Sequence, residues 1–158
     1  MKSVIPDQAS ACDPVKPAVL VVDDDYATRL SLKVILGEKY NVLEAESGAQ
    51  ALAMMGSSSA QVALLDIRLQ DMTGTELLRQ IKTRNPALEV IMITGYQDVD
   101  SARASMRLGA CDYLPKPVDL TGVGTSVATA LEKHRRGRTS TDERNELQEL
   151  RKTVEHYA

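Results

Sequence analysis

Four apolar runs in this 158-residue chain lead into residues able to do chemistry. Val19-Leu20-Val21-Val22 runs into Asp23-Asp24-Asp25, and Val62-Ala63-Leu64-Leu65 runs into Asp66. Val90-Ile91-Met92-Ile93 leads to Thr94-Gly95, and Asp112-Tyr113-Leu114 leads to Lys116-Pro117. If these ends meet, several carboxylates share one rim. Two carboxylates about 4 Å apart repel by about 4 kcal/mol at an effective dielectric of about 20, so such a rim must recruit cations. Lys116 supplies one. Oxygen-only donors in an open site suit Mg²⁺, which keeps waters and accepts one or two carboxylates plus a phosphoryl group. A carboxylate held beside Mg²⁺ and a lysine is an oxygen nucleophile for phosphoryl transfer. The cations screen the incoming phosphate and steady its equatorial oxygens. The Thr94 hydroxyl can bond a phosphoryl oxygen, and Gly95 leaves room beside it.

These residues meet only if the right elements carry them. In an open α/β sheet, ligands bind beyond the carboxyl ends of the strands. The first, third and fourth runs are continuously apolar, the pattern of parallel strands buried on both faces. Tyr40-Asn41-Val42-Leu43 supplies a second strand and Asp112-Tyr113-Leu114 a fifth. Between them, helical faces are expected at Ala27, Leu30 and Val34; at Leu77, Leu78 and Ile81; and at Val99, Ala102 and Met106. Ser47 with Gln50 and Thr73 with Glu76 form capping boxes, and Gly109 suits the end of the fourth helix. The βα alternation repeats five times and predicts a doubly wound α/β sandwich with right-handed crossovers. The fifth helix has a soft start at Gly122 and Gly124, because glycine costs about 1 kcal/mol against alanine in a helix. The basic run Lys133 to Arg138 suits a helix C-terminus, where cations favour the macrodipole. A further capping box, Ser140 with Glu143, precedes Leu147, Leu150, Val154 and Tyr157, spaced 3, 4 and 3 as in a coiled-coil seam.

The motifs VLVVDDD with Arg29 downstream, LLDIRLQDMTG, VIMITGY and DYLPKP resemble the receiver domain of bacterial two-component response regulators, over about Ala18 to Leu131. The resemblance implies a flavodoxin-like (βα)5 fold with parallel strand order 2-1-3-4-5 and a C-terminal helical extension. It implies Asp66 as phosphoacceptor. Asp24 and Asp66 would bind Mg²⁺ (or Mn²⁺) directly, Asp23 through water, and the Arg68 carbonyl would be a further ligand. Lys116 would pair with Asp66 and then with the phosphoryl group. Thr94 and Tyr113 would form the switch pair, and the Lys116–Pro117 bond would be cis. Four positions depart from the family pattern or vary within it. Gln70 replaces a proline, which predicts a looser loop after strand three. Val118 replaces a phenylalanine. Arg68 and Tyr96, bulky and two residues beyond Asp66 and Thr94, would shield the phosphoryl group from water.

Composition bounds the rest. With 43% hydrophobic residues, 26% charged and net charge −3, the chain is long and apolar enough for a core. A pI near 5.4, with five Tyr and no Phe or Trp, argues against a nucleic-acid wrapper or base-stacking platform. No apolar run of about 18 residues exists to span a membrane, and the start MKSVIPDQASACDP lacks a secretory apolar block. Two cysteines, Cys12 and Cys111, point to a reducing compartment and a cytoplasmic location. The expected organisation is a mobile N-terminal tail (1–17), a receiver domain (18–136) and a helical linker or short coiled-coil stalk (137–158). Too few residues follow Leu131 for an output domain, so the expectation is action through partners or a larger protein cut at the linker. The expected partners are a sensor histidine kinase or phosphotransfer protein and a second copy in a homodimer, with no direct nucleic-acid contact and no membrane. The chain would not be a turnover enzyme. Cys111, Met54 and Met55 read as core filler, and His134 is not expected to be a ligand. Two rivals belong to other classes. One is a haloacid-dehalogenase-type phosphatase, whose Asp-x-Asp-x-Thr/Val pattern starting at Asp23 ends wrongly on Ala27. The other is a non-phosphorylated adaptor, which needs no acidic pocket.

Overall fold

The computed structural model describes residues 16–95 and 99–157. Cys12, Tyr96 and all but the last two residues of the N-terminal segment lie outside them. Five strands, β1 (Ala18–Val22), β2 (Asn41–Ala45), β3 (Ala60–Asp66), β4 (Glu89–Thr94) and β5 (Asp112–Pro115), form one parallel sheet in the order β2-β1-β3-β4-β5. Every residue of β1 and β4 is buried, as continuous apolarity requires of strands covered on both faces.

Five helices alternate with the strands: α1 (Tyr26–Leu36), α2 (Gly48–Met55), α3 (Gly74–Arg84), α4 (Val99–Arg107) and α5 (Leu120–Tyr157). Strand alternation divides the core into two layers. Leu20, Ala63, Leu65, Val90 and Met92 meet Ala51 of α2, Leu77, Leu78 and Ile81 of α3, and Ala102 of α4. Val19, Val21, Leu64, Ile91 and Ile93 meet Leu32 and Leu36 of α1 and Val123, Val127, Ala130 and Leu131 of α5. Met54 and Met55 pack against the first layer and Cys111 against the second. Both expected caps form, since Ser47 accepts from the Gln50 amide and Thr73 from the Glu76 amide. Gly109 ends α4 with φ 108°, a conformation glycine adopts without strain.

Three expectations change. The stripe Ala27, Leu30 and Val34 faces solvent, and Arg29, Leu32 and Leu36 are the buried positions of α1. This helix carries apolar residues on two faces, and the one bearing Leu32, Ile35 and Leu36 offers the larger surface to the sheet. On α4, Ala102 and Ser105 are buried while Met106 is exposed. The third change is at α5, which is one continuous helix, so it neither ends at the basic run nor restarts at Ser140. Lys133 instead pairs with buried Glu89 at 3.6 Å. His134 is buried, with Nδ1 2.7 Å from the Ala87 carbonyl. A carbonyl only accepts, so that nitrogen carries the proton. At the helix start, the Asp119 carboxylate accepts from the Gly122 amide at 2.6 Å and caps the glycine-rich first turn.

Candidate functional site

Parallel strands of one sheet all end on the same edge, and the order β1-β3-β4-β5 makes the four chemically interesting ends neighbours. Asp23 and Asp24 follow β1, Asp66 and Thr94 close β3 and β4, and Lys116 follows β5. Lys116 Nζ lies 3.1 Å from Asp23 Oδ2 and 3.3 Å from Asp66 Oδ2. Asp23, Asp24 and Asp66 each bring a carboxylate oxygen within 4.8 Å of the others. Asp23 and Asp66 are buried, and Asp24 is half-buried.

Charge and burial compete here. Burial, reinforced by the Asp23 carboxylate, pushes the pKa of Asp66 up to about 6 against the pull of the Lys116 ammonium. Burial alone would lower the pKa of Lys116, but the carboxylates of Asp23 and Asp66 outweigh it and hold the amine protonated. Asp23 Oδ1 accepts the Asp25 amide at 2.8 Å. Its buried Oδ2 takes no well-directed hydrogen bond and is answered by the charge of the Lys116 ammonium 3.1 Å away. Asp25 serves α1 instead, accepting from the Thr28 hydroxyl at 2.7 Å and the Ala27 amide at 3.3 Å. The Thr28 hydrogen bond is the main reason its pKa is lowered.

Thr94 is buried and one step beyond the Asp66–Ile93 register pair. Its hydroxyl donates to the Gly95 carbonyl at 3.0 Å, and its own carbonyl accepts the Lys116 amide at 2.8 Å. The Lys116–Pro117 bond is cis. Tyr113 pairs with Met92, which places it on the same sheet face as Thr94, and it is 39% exposed. Arg68 is exposed, and its amide donates to Asp66 Oδ1 at 3.4 Å.

The bonding of two residues inside the quoted motifs escapes a sequence reading. Arg29 is buried and donates through Nη1 to the Asp23 carbonyl at 2.7 Å. Its guanidinium also lies 3.5 Å from Glu44, 3.7 Å from Glu46 and 5.7 Å from the centre of the Tyr26 ring. It thereby fixes the turn that presents the acidic residues. The second is Asp71. Its Oδ1 accepts the Gly48 amide at 2.9 Å and its Oδ2 the Ala49 amide at 2.8 Å. The Gly74 amide also donates to the Ile67 carbonyl at 2.6 Å, and Arg68 bridges Thr73. The loop after β3 is therefore tied down, contrary to the looseness expected from Gln70.

A hard divalent cation fits this donor set. The ligands are all oxygen, one ammonium offsets one of the three carboxylate charges, and a buried carboxylate oxygen is left without a directed hydrogen bond.

Fold and site together define a flavodoxin-like receiver. Residues 19–128 match the model of the response regulator receiver domain. The chain is similar to the transcriptional regulatory protein ZraR of Escherichia coli K12, with 39% identity over 114 residues, covering 72% of this chain and 26% of that protein. It is similar to the DNA-binding transcriptional regulator NtrC of the same organism, with 43% identity over 103 residues, covering 65% of this chain and 22% of that protein. Among solved structures, it resembles a CheY-like receiver domain protein from Methanospirillum hungatei, with 34% identity, a TM-score of 0.73, and coverage of 77% of this chain and 98% of that one. It also resembles NtrX from Brucella abortus, with 31% identity, a TM-score of 0.77, and coverage of 81% of this chain and 30% of that one. The chain belongs to the response regulator receiver domain family. It spans about a quarter of the length of the curated relatives it matches. The phosphatase and adaptor readings gain no support from these relatives. No described helix is long and apolar enough to cross a membrane.

Proposed function

We propose that this chain is a cytoplasmic signalling switch that accepts a phosphoryl group on Asp66 from a sensor histidine kinase or phosphotransfer protein, in a reaction that requires Mg²⁺ or Mn²⁺. The observation that carries the reading is the Lys116 ammonium, 3.1 and 3.3 Å from two of three clustered carboxylates. A carboxylate oxygen of Asp66 attacks phosphorus in line as the P–N bond of a phosphohistidine breaks. The imidazole leaves with the electron pair and takes up a proton. Asp24, Asp66 and the Arg68 carbonyl would hold the cation, with Asp23 acting through water. When bound, the cation supplies positive charge to the phosphoryl oxygens.

Lys116 trades its pairing with Asp66 for the new phosphoryl charge. The Thr94 hydroxyl, now donating to Gly95, turns to a phosphoryl oxygen, and Tyr113 moves inward on the same face. The transferred charge thereby shifts a pre-existing equilibrium rather than driving turnover, so the chain is a switch and not an enzyme. In this reading residues 18–136 form the receiver and 137–158 a stalk through which two copies associate.

The test is labelling with acetyl phosphate and Mg²⁺. Wild type acquires one acid-labile phosphoryl group, and Asp66→Asn acquires none. Labelling of Asp66→Asn at the wild-type stoichiometry overturns the assignment.

A further inference from the structure

We propose that Asp71 is a positioning residue for the phosphoryl site, clamping the β3–α3 loop to the start of α2 so that the Arg68 backbone stays oriented toward the bound cation. This rests on the reading of Asp66 and its neighbours given above. The two oxygens of one carboxylate take the first two amides of α2, at 2.9 and 2.8 Å. These are charge-assisted bonds at the positive end of a helix, and they span 22 and 23 residues of sequence. The Gly48 and Ala49 amide bonds are the leading reason the pKa of Asp71 is lowered.

The position of Asp71 gives these bonds their consequence. The loop runs from Ile67 to Thr73. Its near end touches the phosphoacceptor, through the Arg68 amide on Asp66 Oδ1. Its base is closed by the Gly74–Ile67 hydrogen bond and the Arg68–Thr73 bridge. Its tip, Gln70 to Met72, is held by Asp71 on a different element. Without the clamp the tip keeps only the packing of Leu69 and Met72 against the core, and the loop samples orientations in which the Arg68 carbonyl does not face the cation. Apparent affinity falls with the fraction of competent loop. Second-layer partners that orient a ligand are worth roughly tenfold or more in metal affinity.

The clamp also caps a helix, so a purely structural role must be separated from positioning. Ser47 provides the separation. Its hydroxyl accepts the Gln50 amide at 3.1 Å, a bond within the α2 cap itself, so Ser47→Ala weakens α2 without releasing the loop. Asp71→Asn keeps one acceptor oxygen and is the graded variant.

The experiment is calorimetric titration of the full chain with MgCl₂, beside thermal unfolding of each variant. Asp71→Ala should bind Mg²⁺ about tenfold more weakly than wild type, and Asp71→Asn should fall between them. Ser47→Ala should bind like wild type although it melts earlier. Wild-type affinity in Asp71→Ala overturns the clamp, and so does an equal loss in Ser47→Ala. Failure of wild type itself to bind Mg²⁺ overturns the metal reading, and the clamp with it.

Discussion

At Asp66, burial and the neighbouring Asp23 act against ionisation, and Lys116 only partly answers them. The nucleophile proposed for this position must nevertheless be a carboxylate, so in that role Asp66 depends on added positive charge. This has a consequence for stability. The carboxyl titrates at about 6 in the folded chain and near 3.8 when unfolded. Between those values the folded state holds a proton that the unfolded state has lost. The stability this confers is fully present below about pH 4 and is lost as pH rises through about 6. One pKa unit corresponds to about 1.4 kcal/mol, so the loss across the whole titration is on the order of 3 kcal/mol in metal-free protein. Denaturant unfolding in a chelator at pH 5 and pH 7.5 checks this. Wild type should lose stability relative to Asp66→Asn over that interval, and Mg²⁺ should restore it at the higher pH. Parallel profiles for the two proteins contradict the account. Arg29 works on the same residues through the backbone, since its bond to the Asp23 carbonyl fixes where the acidic turn points.

The elements show which parts of this arrangement can be read from sequence. Asp23, Asp24, Asp66, Thr94 and Lys116 were legible because each follows or closes an apolar run, and a parallel sheet delivers such ends to one edge. The caps at Ser47 and Thr73 were legible because their partners lie three residues away. The roles of Arg29 and Asp71 were not, because their bonding depends on how separate elements pack. The same holds for the face of α1, where two apolar stripes compete and only the sheet decides between them. Gly74 lies between these cases. It follows the cap expected at Thr73, but its necessity comes from crowding. A Cβ there would run into the Asp66 carbonyl oxygen and lie 2.8 Å from Ile67 Cα, both backbone atoms that cannot swing aside. Gly74→Ala must therefore displace the end of β3 or the start of α3. It should destabilise the chain by about 2 kcal/mol in denaturant unfolding and weaken phosphorylation together with stability. A variant as stable as wild type would mean that the turn relaxes freely.

For the molecule as a whole, the unusual feature is α5, whose 38 residues extend about 57 Å at 1.5 Å per residue. Leu131 and His134 are its last described buried positions, and every described side chain beyond them is exposed. Leu147, Leu150 and Val154 are among these, each more than 60% exposed. A helix with such a stripe is stabilised when a second helix covers it. With Leu147 and Val154 at a positions and Leu150 at d, Glu146 falls at g and Arg151 at the following e. In a parallel pair each Glu146 faces the other copy's Arg151. In an antiparallel pair, Glu146 meets Glu146 and Arg151 meets Arg151. Charge thus selects the parallel arrangement, and Leu150 at d with the β-branched Val154 at one of the two a positions favours two strands. Two heptads are too short to hold a dimer unaided, so association through the stalk should be weak and open to regulation by the receiver. Light scattering across a concentration series should show reversible dimerisation, strengthened by beryllofluoride with Mg²⁺. Leu150→Asp should abolish it. Glu146→Lys should weaken it, and the double variant Glu146→Lys/Arg151→Glu should restore it, because the pair is then reversed rather than broken. Dimerisation unchanged by Leu150→Asp would place the interface elsewhere, and a double variant as weak as the single would exclude the parallel pairing.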